Sequence, residues 1–150
     1  MIKIMMIKVF RIMYFLVAIL LITYASYGQT SGNVMVGGGM DIIKSDINTF
    51  AGKVQTGFEA NYFINRSFSV SGGFEIWSAS NNSLVLGLRW YPFSNLFTRF
   101  RGLIGQDDFG IGVGYAHVLN SNWQIEGVGD YFLDQGELGL RIGVAYVFRK

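Results

Sequence analysis

The sequence predicts an all-β chain in which about eight antiparallel strands close into an up-and-down transmembrane barrel. Three observations predict this fold class: large apolar residues alternate with small or charged ones, turn residues separate the alternating stretches, and the composition is 51% hydrophobic but only 15% charged. A soluble domain carries roughly 25% charged residues. The sparse charge therefore favours a chain that exposes apolar side chains to lipid.

Residues 137–148 show the alternation most clearly. Every second residue from Leu138 onward is large and apolar, whereas the positions between them hold Glu, Gly, Arg and Ala, with Val147 as the exception. Successive side chains of a strand point to opposite faces, so one face is apolar and the other is small or charged. A strand with lipid outside and a narrow, filled lumen inside needs this arrangement.

The start of the chain predicts a secretory signal peptide. Basic residues precede a short apolar run over residues 13–22, and small residues follow up to Gly28. A membrane-spanning helix is the alternative, but it needs roughly 20 apolar residues. We expect a signal peptide over 1–28 and a barrel domain over 29–150. The signal segment holds three of the 12 basic residues and none of the 10 acidic ones, so the exported part is slightly acidic and nucleic-acid binding is not expected.

The predicted strands follow from apolar residues at alternate positions. Their expected ranges are, in order, 33–41, 53–63, 67–76, 84–91, 97–104, 109–116, 123–131 and 137–148. The fourth strand stops at Pro92, which cannot donate a hydrogen bond to a neighbouring strand. An even number of strands puts both chain ends on the same side of the membrane, which is expected to be the periplasm. The short turns on that side are 64–66, 92–95 and 120–122. The loops expected on the outer side of the membrane are 42–49, 79–82, 105–108 and 133–136.

The same alternation also fits a secreted or periplasmic barrel of the lipocalin type, which binds a small ligand and has its apolar face inside. An eight-stranded barrel has an interior just wide enough for side chains or one small ligand. The apolar face carries roughly thirty residues, many of them aromatic, which is too much volume for such an interior. The membrane orientation is therefore favoured. A barrel-embedded lipid-modifying enzyme is a third possibility.

The inward face is predicted to hold a balanced set of charges. An arginine facing lipid costs roughly 2–4 kcal/mol at mid-bilayer, and a buried ion without a partner is expensive. We therefore expect a charge-paired, filled lumen and not an ion-selective pore, with Lys53 and Glu137 as further inward residues. The central network is predicted to comprise Arg89, Arg99, Arg101, Arg141, Glu59, Glu75, Glu126 and Asp130.

Specific pairs are expected across the glycine-rich strand at 109–118. Its inward positions hold Gly110, Gly112, Gly114 and Ala116, which leave a groove of side-chain size. The two arginines of the preceding strand are expected to cross this groove to Glu126 and Asp130, with Arg141 joining them.

No catalytic residue, cofactor site or metal site is predicted. The chain has no cysteine and one histidine. Parity places His117 on the lipid face, where a hydrolase would still need a serine or carboxylate within hydrogen-bonding reach. Residues 110–114 resemble a phosphate loop only superficially, because such a loop must open a helix and here the alternation continues.

Aromatic residues gather near one rim and predict an interfacial girdle. Its expected members are Tyr62, Phe68, Trp90, Phe93, Tyr115, Trp123, Tyr146 and Phe148.

From these residues the chain resembles the small outer-membrane β-barrel proteins of the OmpA/OmpX type over residues 32–148. Residues 89–93, Arg-Trp-Tyr-Pro-Phe, look like the strand-to-turn segment of such domains. The end with Tyr146 and Phe148 resembles their C-terminal assembly signal, although two basic residues follow it here. The resemblance implies a Gram-negative outer membrane, with membrane lipid and the barrel-assembly machinery as partners and a structural or surface-interaction role without catalysis. The oligomeric state stays open.

Overall fold

The computed structural model describes residues 30–44, 55–77 and 82–150. The predicted signal peptide, Lys53 and parts of two outer loops lie outside the described residues. Within them the chain forms eight strands. Their bounds are β1 (Val34–Lys44), β2 (Gln55–Phe63), β3 (Phe68–Trp77), β4 (Ser83–Trp90), β5 (Leu96–Ile104), β6 (Asp108–Val118), β7 (Trp123–Phe132) and β8 (Glu137–Phe148).

Each strand pairs antiparallel with its neighbours in chain order, and β1 pairs with β8 to close the barrel. Val34 stands opposite Tyr62 on one side and Phe148 on the other. Closure removes the free sheet edges, so the backbone groups are satisfied without water, as a bilayer requires. The predicted fold class is confirmed. Within the described residues, no helix is long and apolar enough to cross a membrane.

β1 is longer than the sequence predicts. It runs through Lys44, into a stretch expected to be a loop, because β8 continues to pair with it beyond Asp41. The register shifts between Asp41 and Ile43, so a bulge accommodates the extra residue. The prediction that the outer loop starts at residue 42 is therefore wrong, and residues 45–49 lie outside the described part of the chain.

Two of the tight turns use the same asparagine chemistry. The Asn65 side chain accepts hydrogen bonds from the backbone N–H groups of Ser67 and Phe68, both at 2.8 Å. Asn120 accepts from Asn122 and Trp123 in the same way, both at 2.9 Å. Asparagine suits such turns because its side-chain oxygen mimics a backbone carbonyl. These turns, the start of β1 and the end of β8 form one end of the barrel, which we call the terminal rim.

The barrel interior holds an apolar layer near each end. The layer toward the terminal rim consists of Met35, Phe63, Tyr91, Phe97, Ala116, Val128, Ala145 and Val147. The layer toward the opposite rim consists of Trp77, Leu103 and Phe132. The inward positions between the two layers are mainly polar, and they contain the candidate site.

The charged lumen as candidate functional site

Alternation places the charged side chains inside the barrel. On β5, for example, Arg99 and Arg101 are each 2% exposed, whereas Phe100 between them is 49% exposed. All four predicted arginines are buried, as are Glu75, Glu126 and Asp130. The side chain of Glu59 retains 11% exposure. The structure thus brings the eight predicted lumen residues into one polar layer.

The larger cluster of this layer begins on β5. The Nε of Arg99 donates to Asp130 Oδ1 at 2.9 Å, and its Nη2 pairs with the other carboxylate oxygen. Arg101 approaches the same carboxylate through Nη2 at 3.2 Å and pairs with Glu75 through Nη1. The carboxylate of Asp130 therefore holds both guanidinium groups.

Arg141 continues the cluster across the lumen. Its Nη1 lies 2.8 Å from Glu75 Oε1, and its Nε donates to Asp41 Oδ1 at 2.6 Å. The Gln55 amide also donates to the Glu75 carboxylate. An unbroken chain of ion pairs thus crosses the lumen, in the order Asp41, Arg141, Glu75, Arg101, Asp130, Arg99.

A smaller cluster surrounds Arg89, nearer the terminal rim. Its Nε donates to Glu59 Oε1 at 3.0 Å, while Nη1 donates to both oxygens of Glu126 at 3.0 Å. Gln124 donates a further hydrogen bond to Glu126 Oε1 at 2.8 Å. Such charge-assisted, partly bidentate bonds are among the stronger ones in proteins.

The expected pairs across the glycine strand are found only in part. Both arginines of β5 contact Asp130, but Glu126 contacts Arg89 and not Arg99 or Arg101. Arg141 joins the cluster through Glu75 and not through Asp130. Counted in residues from the turns, Arg99 and Glu126 have similar heights. Strands of a barrel are tilted and staggered, so equal counts do not give equal heights.

Sequence reasoning missed Asp41 as a member of the network. The residue is 6% exposed and stands opposite Arg141 in the register of β1 and β8. The alternation along β1 predicts its inward direction, because Asp41 lies an even number of residues after Met35 and Gly39, which face the lumen. With it, the described clusters contain four arginines and five carboxylates.

The groove beside the glycine strand is filled. A Cβ at Gly112 would overlap Asp130 Oδ1 and come within 3.2 Å of Arg99 Cγ. A Cβ at Gly114 would overlap the ring of Phe97. These glycines therefore make room for the Arg99–Asp130 pair and for the apolar layer.

Two of the guanidinium groups also contact aromatic rings of the apolar layers. Arg89 lies 4.8 Å from the ring centroid of Phe97, and Arg101 lies 5.7 Å from that of Phe132. Both distances suit a cation–π contact. A cavity of about 30 Å³ remains between the two clusters, lined in part by Glu59, Glu75, Arg89, Arg99 and Arg141. This volume suits a water molecule and not an organic ligand.

The predicted girdle residues lie on the outer face at the terminal rim, and Phe93 lies in the turn after β4. Trp123 packs edge-on against Tyr146 at 5.0 Å, and Tyr146 against Phe148 at 4.7 Å. Tyr146 is less exposed than the others because these two rings flank it. On the other side, Phe68 stacks on Trp90 with ring centroids 6.4 Å apart.

His117 is exposed on the outer face of β6, opposite Ile125. Among the described residues, no group of three or more His, Asp or Glu side chains is arranged to hold a metal ion.

A closed eight-stranded barrel with an apolar exterior and ion pairs inside has the architecture of the transmembrane barrels. No family model and no curated protein matches the sequence. Solved structures do match. A designed transmembrane β-barrel has a TM-score of 0.63 and 17% identity, over 81% of this chain and 99% of that one. The designed barrel TMB2.3 has a TM-score of 0.57 and 14% identity, over 83% and 98%.

A natural barrel also matches. The N-terminal β-barrel domain of OprF from Pseudomonas aeruginosa has a TM-score of 0.55 and 15% identity, over 80% of this chain and 100% of that domain. At these identities the likeness is one of fold. The expected resemblance to small outer-membrane barrels is confirmed at that level.

Proposed function

We propose that the chain is an integral barrel protein of a Gram-negative outer membrane, with a filled lumen and a structural or surface-interaction role. In this proposal it neither catalyses a reaction nor conducts ions. Membrane lipid contacts its outer face, and the barrel-assembly machinery inserts it. The observation that carries the proposal is the stack of layers in the lumen: paired ions between two apolar layers.

The outer surface supports the membrane location. Large apolar side chains that are roughly half exposed cover all eight strands, among them Phe58, Phe74, Leu86, Val113 and Ile142. A monomeric soluble protein rarely exposes a contiguous apolar surface larger than a few hundred Å². In a bilayer the same surface meets hydrocarbon and needs no partner.

The lumen argues against a small-ligand carrier. Ligand pockets measure roughly 300–1,000 Å³, whereas the cavity between the ion clusters measures about 30 Å³. A ligand would have to displace Phe97 or Tyr91 from the layer at the terminal rim, or break the ion pairs. The lipocalin-type alternative therefore lacks the space it needs.

The lumen also argues against an open pore. An ion that crosses the barrel must pass both apolar layers and separate buried ion pairs, and breaking one such pair costs about 3–5 kcal/mol. Arg101, which is 2% exposed, belongs to the chain of pairs that crosses the lumen.

Three measurements test the proposal. The protein should fractionate with the outer membrane and should migrate differently on gels with and without heating. Purified protein in planar bilayers should show no stepwise conductance. Tyr91→Gly/Phe97→Gly, which removes two rings from the layer at the terminal rim, serves as a control that the assay detects a widened lumen. Solubility without detergent would refute the membrane location, and single-channel steps from the unaltered protein would refute the filled lumen.

A further inference from the structure

We infer that one arc of the terminal rim binds the headgroups of anionic phospholipids. This inference rests on the proposed membrane location and goes beyond it by naming a lipid class. The arc consists of three exposed cations, Arg66 in the turn after β2 and Arg149 and Lys150 after β8. We call these three residues the basic arc.

The basic arc occupies one side of the rim. β8, β1 and β2 are neighbours in the barrel, so the end of β8 and the turn after β2 are separated only by the start of β1. The remaining turns of this rim, 91–95 and 119–122, contain no Lys, Arg, Asp or Glu. Positive side chains are therefore concentrated on one arc, with no acidic side chain in the turns of the same rim.

Hydrogen bonds hold this arc in place. The Lys150 N–H donates to Asn33 Oδ1 at 3.3 Å, and the Lys150 side chain runs beside Gly32. Gly32 N–H in turn donates to the Phe63 carbonyl at 2.8 Å, and Ser31 Oγ donates to the Ile64 carbonyl at the same distance. The segment before β1 thus ties the end of β8 to the turn that carries Arg66. None of the ion pairs among the described residues involves a member of the basic arc.

The outer aromatic residues set the height of the basic arc in the bilayer. Arg149 directly follows Phe148, and Arg66 lies two residues before Phe68. Aromatic side chains of this kind sit at the level of the headgroups. Cations one or two residues beyond them therefore lie where phosphate groups are found, and an anionic headgroup complements the positive charge of their side chains.

Two tryptophans flank the basic arc and allow a direct test. Trp123 packs against Tyr146, which packs against Phe148. Trp90 stacks on Phe68. The protein is placed in vesicles with equal amounts of phosphatidylglycerol and phosphatidylcholine, with bromine on the acyl chains of one lipid or the other. Quenching of Trp123 in Trp77→Phe/Trp90→Phe then measures which lipid lies beside the arc.

We expect phosphatidylglycerol to be favoured at least fivefold at Trp123, because each cation close to an anionic surface contributes roughly 1 kcal/mol and the basic arc holds three. The preference should fall to about one in Arg66→Gln/Arg149→Gln/Lys150→Gln, and should weaken at high salt in the unaltered protein. A matched reporter on the other side of the rim, Tyr115→Trp in a chain whose own tryptophans are phenylalanine, should show no preference.

Equal quenching by both lipids at Trp123, or a preference that survives the triple substitution, would overturn the inference and leave the membrane location intact. Absence of quenching by either lipid would overturn the membrane location and this inference with it. Binding of soluble peptidoglycan fragments in zwitterionic detergent that is lost in the triple variant, without any lipid preference, would assign the basic arc to the cell wall instead.

Discussion

Asp130→Asn tests whether the lumen network stabilises the barrel. The substitution keeps the shape of the side chain and removes its charge. Arg99 contacts this carboxylate through two nitrogens, Nε at 2.9 Å and Nη2, and no other carboxylate in the described ion pairs. Arg101 loses one of its two partners and keeps Glu75.

The expected loss of stability in Asp130→Asn follows from the partners that each arginine retains. Arg99 is 2% exposed and becomes a buried charge without a carboxylate, which typically costs about 3–5 kcal/mol. Arg101 loses one charge-assisted bond of roughly 1.5–3 kcal/mol, but the new amide still offers one oxygen to either guanidinium. We therefore expect the free energy of unfolding to fall by about 4 kcal/mol.

Urea unfolding in detergent micelles, followed by gel mobility and tryptophan fluorescence, measures this change. Asp107→Asn is the matched control, because Asp107 is exposed and its φ of 52° is one that asparagine also tolerates. It should change stability by no more than about 0.5 kcal/mol. Arg99→Met/Asp130→Asn removes the buried charge that has lost its partner, and should recover most of the stability that Asp130→Asn loses.

Two results would contradict this reasoning. If Asp130→Asn unfolds at the same urea concentration as Asp107→Asn, the ion pairs do not stabilise the barrel. If the double variant loses as much stability as Asp130→Asn and Arg99→Met alone lose together, the loss is not due to an arginine left without its carboxylate.

Three further substitutions have expected outcomes in the same unfolding assay. Gly112→Leu should destabilise the barrel strongly because its Cβ overlaps Asp130, whereas Gly129→Leu, which faces outward with no atom within 4 Å, should be nearly neutral; equal effects would contradict the filled groove. Glu126→Gln should cost roughly 1.5–3 kcal/mol, less than Asp130→Asn, because its arginine retains Glu59; a larger loss than that of Asp130→Asn would reverse the ranking. Asn120→Ala should cost about 1 kcal/mol through two turn hydrogen bonds, and an unchanged midpoint would show that the turn does not need them.

The face on which each side chain lies could be predicted from the sequence, because direction alternates along a strand and needs no knowledge of its neighbours. Arg99 and Phe100 are adjacent in the chain and lie on opposite sides of the wall. The same rule places Phe97 and Leu103 inward with the arginines of β5, and these two residues belong to the two apolar layers. Whether a side chain points into the lumen is thus determined by its position along its own strand.

The choice of partner inside the lumen is a different kind of property. Arg89 on β4 and Glu126 on β7 are three strands apart in the barrel, and no local signal in either strand connects them. Which carboxylate an arginine meets depends on strand tilt and stagger, which are set by closure of the whole sheet. Counting residues from the turns cannot supply that stagger, so it pairs Glu126 with Arg99 and Arg101 and not with Arg89.

The end of β1 shows a related limit. Residues 42–49 are polar enough for a loop, but the inward face of a barrel strand is polar as well, so polarity does not separate the two. Pairing with β8 decides the matter, since Lys44 still stands opposite Gly139. Asp41 itself lies within the predicted strand 33–41, and without it Arg141 would share Glu75 with Arg101 and have no carboxylate of its own. Because β1 and β8 set Asp41 opposite Arg141, Asp41 completes the chain of ion pairs across the lumen.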